Sequence, residues 1–284
     1  MKTFVRNNAV FLWLSLTLCG VLGLAILCLS KGDLHLLLCN RHTHARDIFY
    51  KYYTQVAEWF PYVVCISLLL CSKIGNGILA SSCLIISALT TQLLKHAFIA
   101  PRPITWFDTH MPHISLPLVD GVEMHSWFSF PSGHTTSFFA LMFVIAIITT
   151  DQIQKNKTFT ICVQIICFLL ATLGAYSRIY LSQHFALDVL GGLIVGIGIC
   201  CACYAFFIRY KDQKWYNYRL FSKKAPKNEK KIKKICVYQK KAVPLHSLLK
   251  RRLERAFSSA GLEHLPYKQR VGGSNPSTPT RETQ

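Results

Sequence analysis

The chain has 284 residues, 51% of them hydrophobic, and a formal net charge of +19. This length and composition allow either one large globular domain or a membrane protein, and the arrangement of the apolar residues decides between the two. Most of them lie in long blocks with few charges, which argues against an ordinary soluble domain and favours a protein that crosses a membrane.

The first block runs from Ala9 to Leu29 without a charged residue, which is long enough to cross about 30 Å of hydrocarbon. Because it follows the sequence MKTFVRNN, it could also be a cleaved signal peptide. The block is longer than a typical signal core, however, and Leu27 to Ser30 lacks the small-x-small pattern that a signal peptidase requires. We therefore predict an uncleaved membrane anchor.

Five further blocks have the apolar character of membrane helices. The second block of the chain, about Trp59 to Ser72, is short and is the weakest of the set. The others cover residues 78–99, 133–150, 158–176 and 185–208. Between the first two blocks, the segment ARDIFYKYYTQVAEWF predicts an amphipathic surface helix with aromatic residues suited to a membrane interface. The whole pattern predicts an all-α polytopic membrane protein with six transmembrane helices forming a helical bundle.

Positive charge is concentrated after the last block, since residues 209–284 contain 20 Lys and Arg against 5 Asp and Glu. We divide the chain here into a six-span domain, residues 1–208, and a basic, largely disordered tail, residues 209–284. Basic segments near the ends of membrane helices stay in the cytoplasm, so both termini are predicted to be cytoplasmic, a parity that six spans satisfy. The tail is expected to bind anionic lipid headgroups, and a nucleic-acid partner is not expected.

Twelve cysteines could suggest a disulfide framework. Ten of them lie within the apolar blocks, and the other two, Cys39 and Cys236, lie outside on opposite predicted sides of the membrane. Within a membrane helix cysteine behaves as a small apolar residue, so no structural disulfide is predicted.

The residues that could carry chemistry lie at the ends of the last four blocks, on the predicted outer face. Each has an ordinary explanation: a lysine or arginine can extend to the headgroups, and a histidine and an aspartate four residues apart can form a helix-capping pair. Taken together, however, they have the composition that phosphoryl transfer requires. They are Lys95, Arg102, Ser132, Gly133, His134, Arg178, His184 and Asp188.

Three of these residues, Lys95, Arg102 and Arg178, are cations that could neutralise a phosphate group. Ser132 and the backbone N–H of Gly133 begin a helix, where unpaired N–H groups bind anions. Of the two histidines, one could attack phosphorus while the other protonates the departing oxygen, and the nearby carboxylate could orient the attacking ring. Such a site would need no metal and no cofactor.

Three separate motifs resemble the signature of the type 2 phosphatidic acid phosphatase superfamily, which also includes vanadium haloperoxidases. They are KxxxxxxRP at Lys95 to Pro103, PSGH at Pro131 to His134 and SRxxxxxHxxxD at Ser177 to Asp188. Every signature position is filled, in the correct order and spacing, and the resemblance covers roughly residues 1–208. The passage VDGVEMHSWFSFPSGHT is also similar to the corresponding region of bacterial lipid A phosphatases.

The resemblance implies a role for each residue. His184 would be the nucleophile that forms a phosphohistidine, with Asp188 as its partner, and His134 would be the general acid. The phosphate would be bound by the remaining residues, Lys95, Arg102, Ser132, Gly133 and Arg178.

The long connection at residues 104–130 contains four side chains that could suggest a metal site, Asp108, His110, His113 and His125. No pair of them has regular ligand spacing, and prolines interrupt the segment. The chemistry that the resemblance implies is also independent of metal. We therefore interpret this connection as one that shapes the pocket for the lipid headgroup.

The leading hypothesis is a lipid phosphatase of the bacterial inner membrane, with its active site on the periplasmic face, that hydrolyses a phosphate monoester or a pyrophosphate. Lipid A is the favoured substrate, and undecaprenyl pyrophosphate and phosphatidylglycerophosphate are the alternatives. A vanadate peroxidase would share the site residues, but it acts on small substrates and does not need six spans. A non-catalytic phospholipid carrier or flippase would bind lipid without turnover, and a scaffold organised by the basic tail would depend on residues 209–284.

Overall fold

The computed structural model describes residues 2–153 and 156–220 of the chain. Within these ranges all regular structure is helical, with two short 3-10 helices at Thr54–Ala57 and Ile208–Tyr210 and no strand. The α-helices, in chain order, are α1 (Lys2–Asn7), α2 (Ala9–Cys28), α3 (Lys31–Cys39), α4 (His44–Tyr53), α5 (Trp59–Ser72), α6 (Ile74–Phe98), α7 (Pro103–His110), α8 (Gly133–Gln152), α9 (Lys157–Tyr180) and α10 (Ala186–Phe207). Most of the predicted tail, with its predicted disorder and lipid binding, lies outside the described residues.

Five of the described helices, α2, α6, α8, α9 and α10, are long and apolar enough to cross a membrane. They correspond to five of the six predicted spans, so the chain is a helical, multi-pass membrane protein. The predicted second span is helix α5, which has the predicted bounds but contains only 14 residues. At about 1.5 Å per residue it is about 21 Å long, which is shorter than a hydrocarbon core of about 30 Å.

Helix α8 lies at the centre of the bundle, packed against α6, α9 and α10. It is apolar around most of its circumference, as is typical of a helix surrounded by others, and its buried side chains include Phe138, Phe139 and Phe143. Helices α2, α6 and α9 instead expose large aliphatic side chains such as Leu24 and Leu93. Exposed leucine is expected where a helix faces lipid.

Close contact between α8 and α10 depends on two glycines of α10. A Cβ atom on Gly192 would lie 2.7 Å from the carbonyl oxygen of Ser132, and one on Gly196 would lie 2.7 Å from that of Thr136. Both distances are shorter than van der Waals contact, so only glycine allows the two backbones to approach this closely. The contact places the start of α8 beside the start of α10.

The two ends of the bundle differ in what they bring together. At one end, α6 and α9 finish and α8 and α10 begin, and the Ser132 N–H donates to the Asp188 carbonyl oxygen at 2.9 Å. At the opposite end, the rings of Phe4 and Tyr204 stack with their centres 4.2 Å apart. Residues near the start of the chain and at the end of α10 therefore lie together, away from the end that holds Ser132.

Residues 209–220 pack against this opposite end. Lys211 forms an ion pair with Asp151 in the last turn of α8, and the Gly75 N–H donates to the carbonyl oxygen of Tyr216 at 3.0 Å. Contacts with the bundle thus continue past the domain boundary predicted at residue 208, which itself remains a prediction.

Helix α5 connects the two ends. Thr54, which precedes it, accepts a hydrogen bond from Arg178 in the last turn of α9, at 2.7 Å. Ile74, which follows it, donates its N–H to the carbonyl oxygen of Tyr218 at the opposite end, at 3.0 Å. Residues 55–73 therefore run from one end of the bundle to the other, packed against α6.

A layer of short helices covers the end where α8 and α10 begin. The predicted amphipathic surface helix is present as α4 followed by the 3-10 helix Thr54–Ala57. Asp47 of α4 accepts a hydrogen bond from the Tyr180 hydroxyl at 2.5 Å and is paired with His42 Nδ1 at 2.8 Å. These contacts attach the layer to the end of α9.

Two helices of this layer, α3 and α7, were not predicted. Helix α3 begins at a cap in which the Ser30 hydroxyl accepts the Asp33 N–H at 3.2 Å, and α7 begins with Pro103 in its first position. Both are recognised signals for a helix start. A start signal alone does not predict a helix, and α3 and α7 are too short to show an apolar periodicity of their own.

Ten cysteine side chains are described, and all are free thiols. Cys83 of α6 lies against Cys203 of α10 inside the bundle, where both are buried. The prediction of no structural disulfide stays open for Cys65 and Cys236, whose side chains lie outside the described set.

Candidate active site

The predicted site residues all lie at the end of the bundle where α8 and α10 begin. They occupy the last turns of α6 (Lys95) and α9 (Arg178), the start of α8 (Ser132, Gly133 and His134), the first turn of α10 (Asp188) and the connections before α7 (Arg102) and α10 (His184). Because neighbouring helices run antiparallel, segments far apart in the sequence reach the same end.

Electrostatic interactions show that these residues form one cluster. His134 interacts with the three cations Lys95, Arg102 and Arg178 and with His184. Lys95 interacts in turn with both arginines and with Asp188. The structure therefore brings together two imidazoles, three cations and one carboxylate.

The PSGH segment forms the start of α8, and Ser132 is its N-cap. The Ser132 hydroxyl is fully buried and accepts hydrogen bonds from the Thr135 N–H at 3.4 Å and the Thr135 hydroxyl at 2.9 Å. Its own proton is donated to no described group, so the hydroxyl remains able to donate to an anion. His134 follows in the first turn, where the unpaired N–H groups of the helix create a positive potential.

His184 and Asp188 form a buried pair at the start of α10. The His184 Nδ1 atom lies 3.6 Å from Asp188 Oδ2, slightly beyond ordinary hydrogen-bond distance. The Ser129 hydroxyl lies against both, 2.5 Å from the same carboxylate oxygen and 3.5 Å from Nδ1. The Phe185 N–H also donates to this oxygen, at 2.9 Å. The carboxylate is therefore held by two donors beside the histidine ring.

Burial sets the protonation state of His184. The side chain is 1% exposed, and loss of hydration lowers its pKa to about 3, although the Asp188 carboxylate acts in the opposite direction. The ring is therefore neutral at physiological pH, which is the form that can act as a nucleophile.

A tight turn between α9 and α10 positions His184. The carbonyl oxygen of Arg178 accepts the N–H groups of both Gln183 and His184, at 3.0 and 3.1 Å. Ser182 within this turn has a φ of +51°, in the left-handed region that non-glycine residues rarely adopt. The turn places His184 directly beside the end of the helix that carries Arg178.

The two arginines are each held by a residue that the motifs did not reveal. Arg102 donates to the Gln183 side-chain oxygen at 2.8 Å, and Gln183 itself donates to the Glu123 carbonyl oxygen at 2.8 Å. Arg178 donates through Nη1 to the Thr54 hydroxyl, and its buried Nε has no hydrogen-bond partner among the described residues. Neither Gln183 nor Thr54 occupies a motif position, so only their contacts identify them.

The histidines and the aspartate of the 104–130 connection are not assembled into a metal site. His110 belongs to α7, where its ring stacks on Trp106 with centres 4.6 Å apart. No group of three or more His, Cys, Asp or Glu side chains within residues 2–153 and 156–220 is arranged to hold a metal ion.

Comparison with known proteins finds a family match over the region that holds the site. Residues 76–212, which run from the first turn of α6 to just past the end of α10 and include every predicted site residue, match the model of the PAP2 superfamily. The resemblance drawn from the three motifs is thus confirmed, since this region, just under half of the chain, matches the PAP2 superfamily.

Two curated relatives and one solved structure extend the comparison. The chain is 36% identical over 92 residues to the phosphatidylglycerophosphatase B of Bacillus subtilis, which covers 32% of this chain and 43% of that protein. It is 26% identical over 170 residues to the lipid A 4'-phosphatase of Porphyromonas gingivalis, covering 59% of each. The chain therefore spans about half the length of the curated relatives that it matches.

The solved structure is that of a PAP2 type phosphatidylglycerolphosphate phosphatase from Bacillus subtilis. It superposes with a TM-score of 0.53 at 21% identity, over 74% of this chain and 100% of the other. At this identity the likeness is one of fold, and it agrees with the helical membrane bundle described above.

Proposed function

We propose that this chain is a membrane-embedded lipid phosphatase that hydrolyses a phosphate monoester or a pyrophosphate of a lipid through a phosphohistidine intermediate. The observation that supports this most directly is the convergence of two imidazoles, one carboxylate and three cations in one cluster. Cations alone would suit a site that only binds phosphate. A neutral imidazole beside a buried carboxylate is the arrangement of an activated nucleophile, so it favours an enzyme over a carrier or flippase.

In the first chemical step, His184 attacks the phosphorus atom and the bond from phosphorus to the leaving oxygen breaks. His184 Nδ1 faces Asp188, so Nε2 is the nitrogen available for attack. Asp188 stabilises the positive charge that the ring acquires. His134 transfers a proton to the leaving lipid alcohol or phosphate.

In the second step, water attacks the phosphohistidine, and His134 accepts a proton from that water. The bond between nitrogen and phosphorus breaks, inorganic phosphate leaves, and His184 is again neutral. Lys95, Arg102 and Arg178 neutralise the equatorial oxygens in both steps, and the start of α8 contributes the Ser132 hydroxyl and the Gly133 N–H. The steps require no metal ion.

We propose lipid A as the first substrate to test. The relative matched over the longer alignment is a lipid A 4'-phosphatase, whereas the relative with the higher identity is a phosphatidylglycerophosphatase. Phosphatidylglycerophosphate is therefore the second candidate. Undecaprenyl pyrophosphate is the third, because the same cations can bind a diphosphate.

We propose that α5 completes a set of six membrane crossings in a bacterial inner membrane. The support is that residues 55–73 connect the two ends of the bundle, and a short helix can be accommodated by local thinning of the bilayer. Both termini would then be cytoplasmic, since α1 and residues 209–220 lie at the end opposite the site. The candidate site would face the periplasm.

We propose that the phosphatase resides in residues 1–208 and that the tail, residues 209–284, binds anionic headgroups without taking part in catalysis. Removal of residues 221–284 keeps the contacts of Lys211 and Tyr216 with the bundle. The truncated protein should therefore retain phosphate release. Loss of activity with an intact bundle would support the scaffold hypothesis instead.

Phosphate release from a lipid panel tests the proposed function. The purified protein in detergent, with a metal chelator present, should release inorganic phosphate from at least one of lipid A, phosphatidylglycerophosphate and undecaprenyl pyrophosphate. His184→Ala and His134→Ala should abolish release, whereas His44→Ala, a change at an exposed histidine at the start of α4, should not. Binding of these lipids without release by the wild type would favour the carrier.

A further inference from the structure

Lys31, the first residue of α3, lies beside the turn that carries His184 but outside the region 76–212 that matches the family. Its ammonium is 4.0 Å from the centre of the Phe185 ring and 5.4 Å from that of Trp106. Phe185 directly follows His184 in the chain. Lys31 therefore lies at the rim of the candidate site, with its charge above aromatic rings.

Contacts of α3 fix the position of Lys31. Gly32, the next residue, packs so closely that a Cβ atom there would lie 2.9 Å from Met111. One turn further, His35 is 1% exposed, and its Nε2 lies 3.3 Å from the Ser182 hydroxyl in the turn before His184. The helix that carries Lys31 is therefore packed against the same turn that positions His184.

Lys31 has no carboxylate in direct contact among the described residues, although the charge of Asp188 acts on it. It takes part in none of the ion pairs among the described residues. The ring faces beneath it stabilise a cation only in part, and burial lowers its pKa. An ammonium without a carboxylate in direct contact is a favourable partner for an anion that arrives with a ligand.

Lys31 is a separate positive centre from the three cations of the cluster. The charge that acts on Lys31 is that of Asp188. None of the three cations acts on Lys31, although Asp188 also acts on Lys95 and Arg102. An anion on Lys31 would therefore lie to one side of Asp188, next to the group that the three cations bind and not within it.

We propose that Lys31 forms a second anion subsite, which binds a phosphate group of the substrate other than the one that His184 attacks. This rests on the proposed function, and it narrows the substrate class to lipids with two phosphate groups. The two groups are either joined as a diphosphate or attached at separate positions of one headgroup. In both cases the ammonium forms a charge-assisted hydrogen bond to the phosphate that is not cleaved.

The test uses ligands that cannot be hydrolysed, so its outcome does not depend on turnover. Binding to the purified full-length protein is measured by calorimetry in detergent for three decyl ligands. One is a monophosphonate, one is a methylene bisphosphonate with adjoining phosphonate groups, and one has two phosphonates on opposite sides of a sugar ring. The protein is compared with Lys31→Gln, Lys31→Arg and, as a control, Lys157→Gln at an exposed lysine at the other end of α9.

For Lys31→Gln, the Kd of one of the two bisphosphonates should rise about ten-fold, the effect of losing one charge-assisted contact. The Kd of the monophosphonate should change less than two-fold, which also shows that the variant is folded. Lys31→Arg should restore binding, and Lys157→Gln should have no effect. The bisphosphonate that loses affinity identifies whether the second phosphate is adjoining or separate.

Two results would overturn the second subsite. One is an equal loss of affinity for the monophosphonate and both bisphosphonates in Lys31→Gln. The other is an unchanged Kd for all three ligands. A wild type that binds these ligands but releases no phosphate from any lipid would contradict the proposed function and leave the result for Lys31 unaffected.

Discussion

The Asp188 carboxylate is held by two donors that differ in how far the sequence reveals them. The Phe185 N–H is a local contact, three residues away at the start of α10. The Ser129 hydroxyl comes from 59 residues away and lies two positions before the PSGH motif. A motif records the residues that recur in a family, whereas a supporting hydroxyl of this kind becomes visible only when the chain is folded.

Replacement of this hydroxyl tests whether it positions Asp188. Ser129→Ala should lower kcat by about ten-fold, which corresponds to about 1.4 kcal/mol of transition-state stabilisation, with little change in KM. The reason is that the carboxylate loses one of its two donors while the phosphate-binding cations are untouched. The matched control is Ser126→Ala, whose side chain is exposed. Equal values of kcat for both variants would rule out this role.

A second residue-scale prediction concerns His35, which is buried between the rings of Phe107 and Phe185. Burial lowers its pKa from 6.5 to about 4. Between these two pH values the histidine is protonated in the unfolded chain but neutral in the folded chain. The folded state therefore loses stability as the pH falls from 6.5 towards 4. Replacement of His35 should make the protein less sensitive to acid.

The measurement is the unfolding free energy in mixed micelles at pH 7 and pH 5. His35→Gln retains a polar group near Ser182. The decrease in its unfolding free energy from pH 7 to pH 5 should be smaller than that of the wild type by about 2 kcal/mol. His113→Gln, at an exposed histidine, should behave as the wild type. An unchanged acid sensitivity in His35→Gln would show that this histidine is not kept neutral by burial.

At the scale of elements, the 3-10 helix Thr54–Ala57 supports the end of α9. Its first residue accepts the Arg178 Nη1 hydrogen bond at 2.7 Å, and both side chains are buried. Thr54→Val keeps the shape and removes the hydroxyl, so it should raise KM about five-fold, or about 1 kcal/mol, with a smaller effect on kcat. Thr54→Ser keeps the hydroxyl and should restore the wild-type KM. If serine fails to restore it, shape and not hydrogen bonding explains the effect of Val.

The contact between α8 and α10 gives a second prediction at this scale. Gly196→Ala places a methyl group 2.7 Å from the Thr136 carbonyl oxygen, so the two helices must separate. The expected cost is about 1–3 kcal/mol of stability, with a loss of activity because the start of α8 moves away from Asp188. Gly198→Ala is the matched control, since nothing lies within 4 Å of its Cβ position. Equal stability of the two variants would contradict the importance of this contact.

The membrane helices could be predicted from sequence because each must bury a long apolar segment, which leaves a clear pattern. Helices α3 and α7 could not, because each is about two turns long and is stabilised by contacts with distant parts of the chain. Helix α5 could be predicted only in part. Its bounds follow from its apolar residues, but its length leaves the sixth crossing a proposal.

At the scale of the whole molecule, the sequence indicated which residues belong together but not what holds them. The three motifs predicted a single cluster, and the structure brings their residues into mutual electrostatic range. Thr54 and Lys31 could not be predicted, because they come from elements outside residues 76–212 and their roles depend on the packing of those elements.

Direct detection of a phosphorylated His184 tests the central claim. The purified protein is mixed with an excess of a lipid substrate that it hydrolyses, quenched under alkaline conditions that preserve phosphohistidine, digested and examined by mass spectrometry. The account predicts a phosphate adduct on the peptide that contains His184, absent in His184→Ala, and accumulation of this adduct in His134→Ala if a substrate with an activated leaving group is used. Continued phosphate release by His184→Ala, or steady turnover with no adduct at His184, would contradict it.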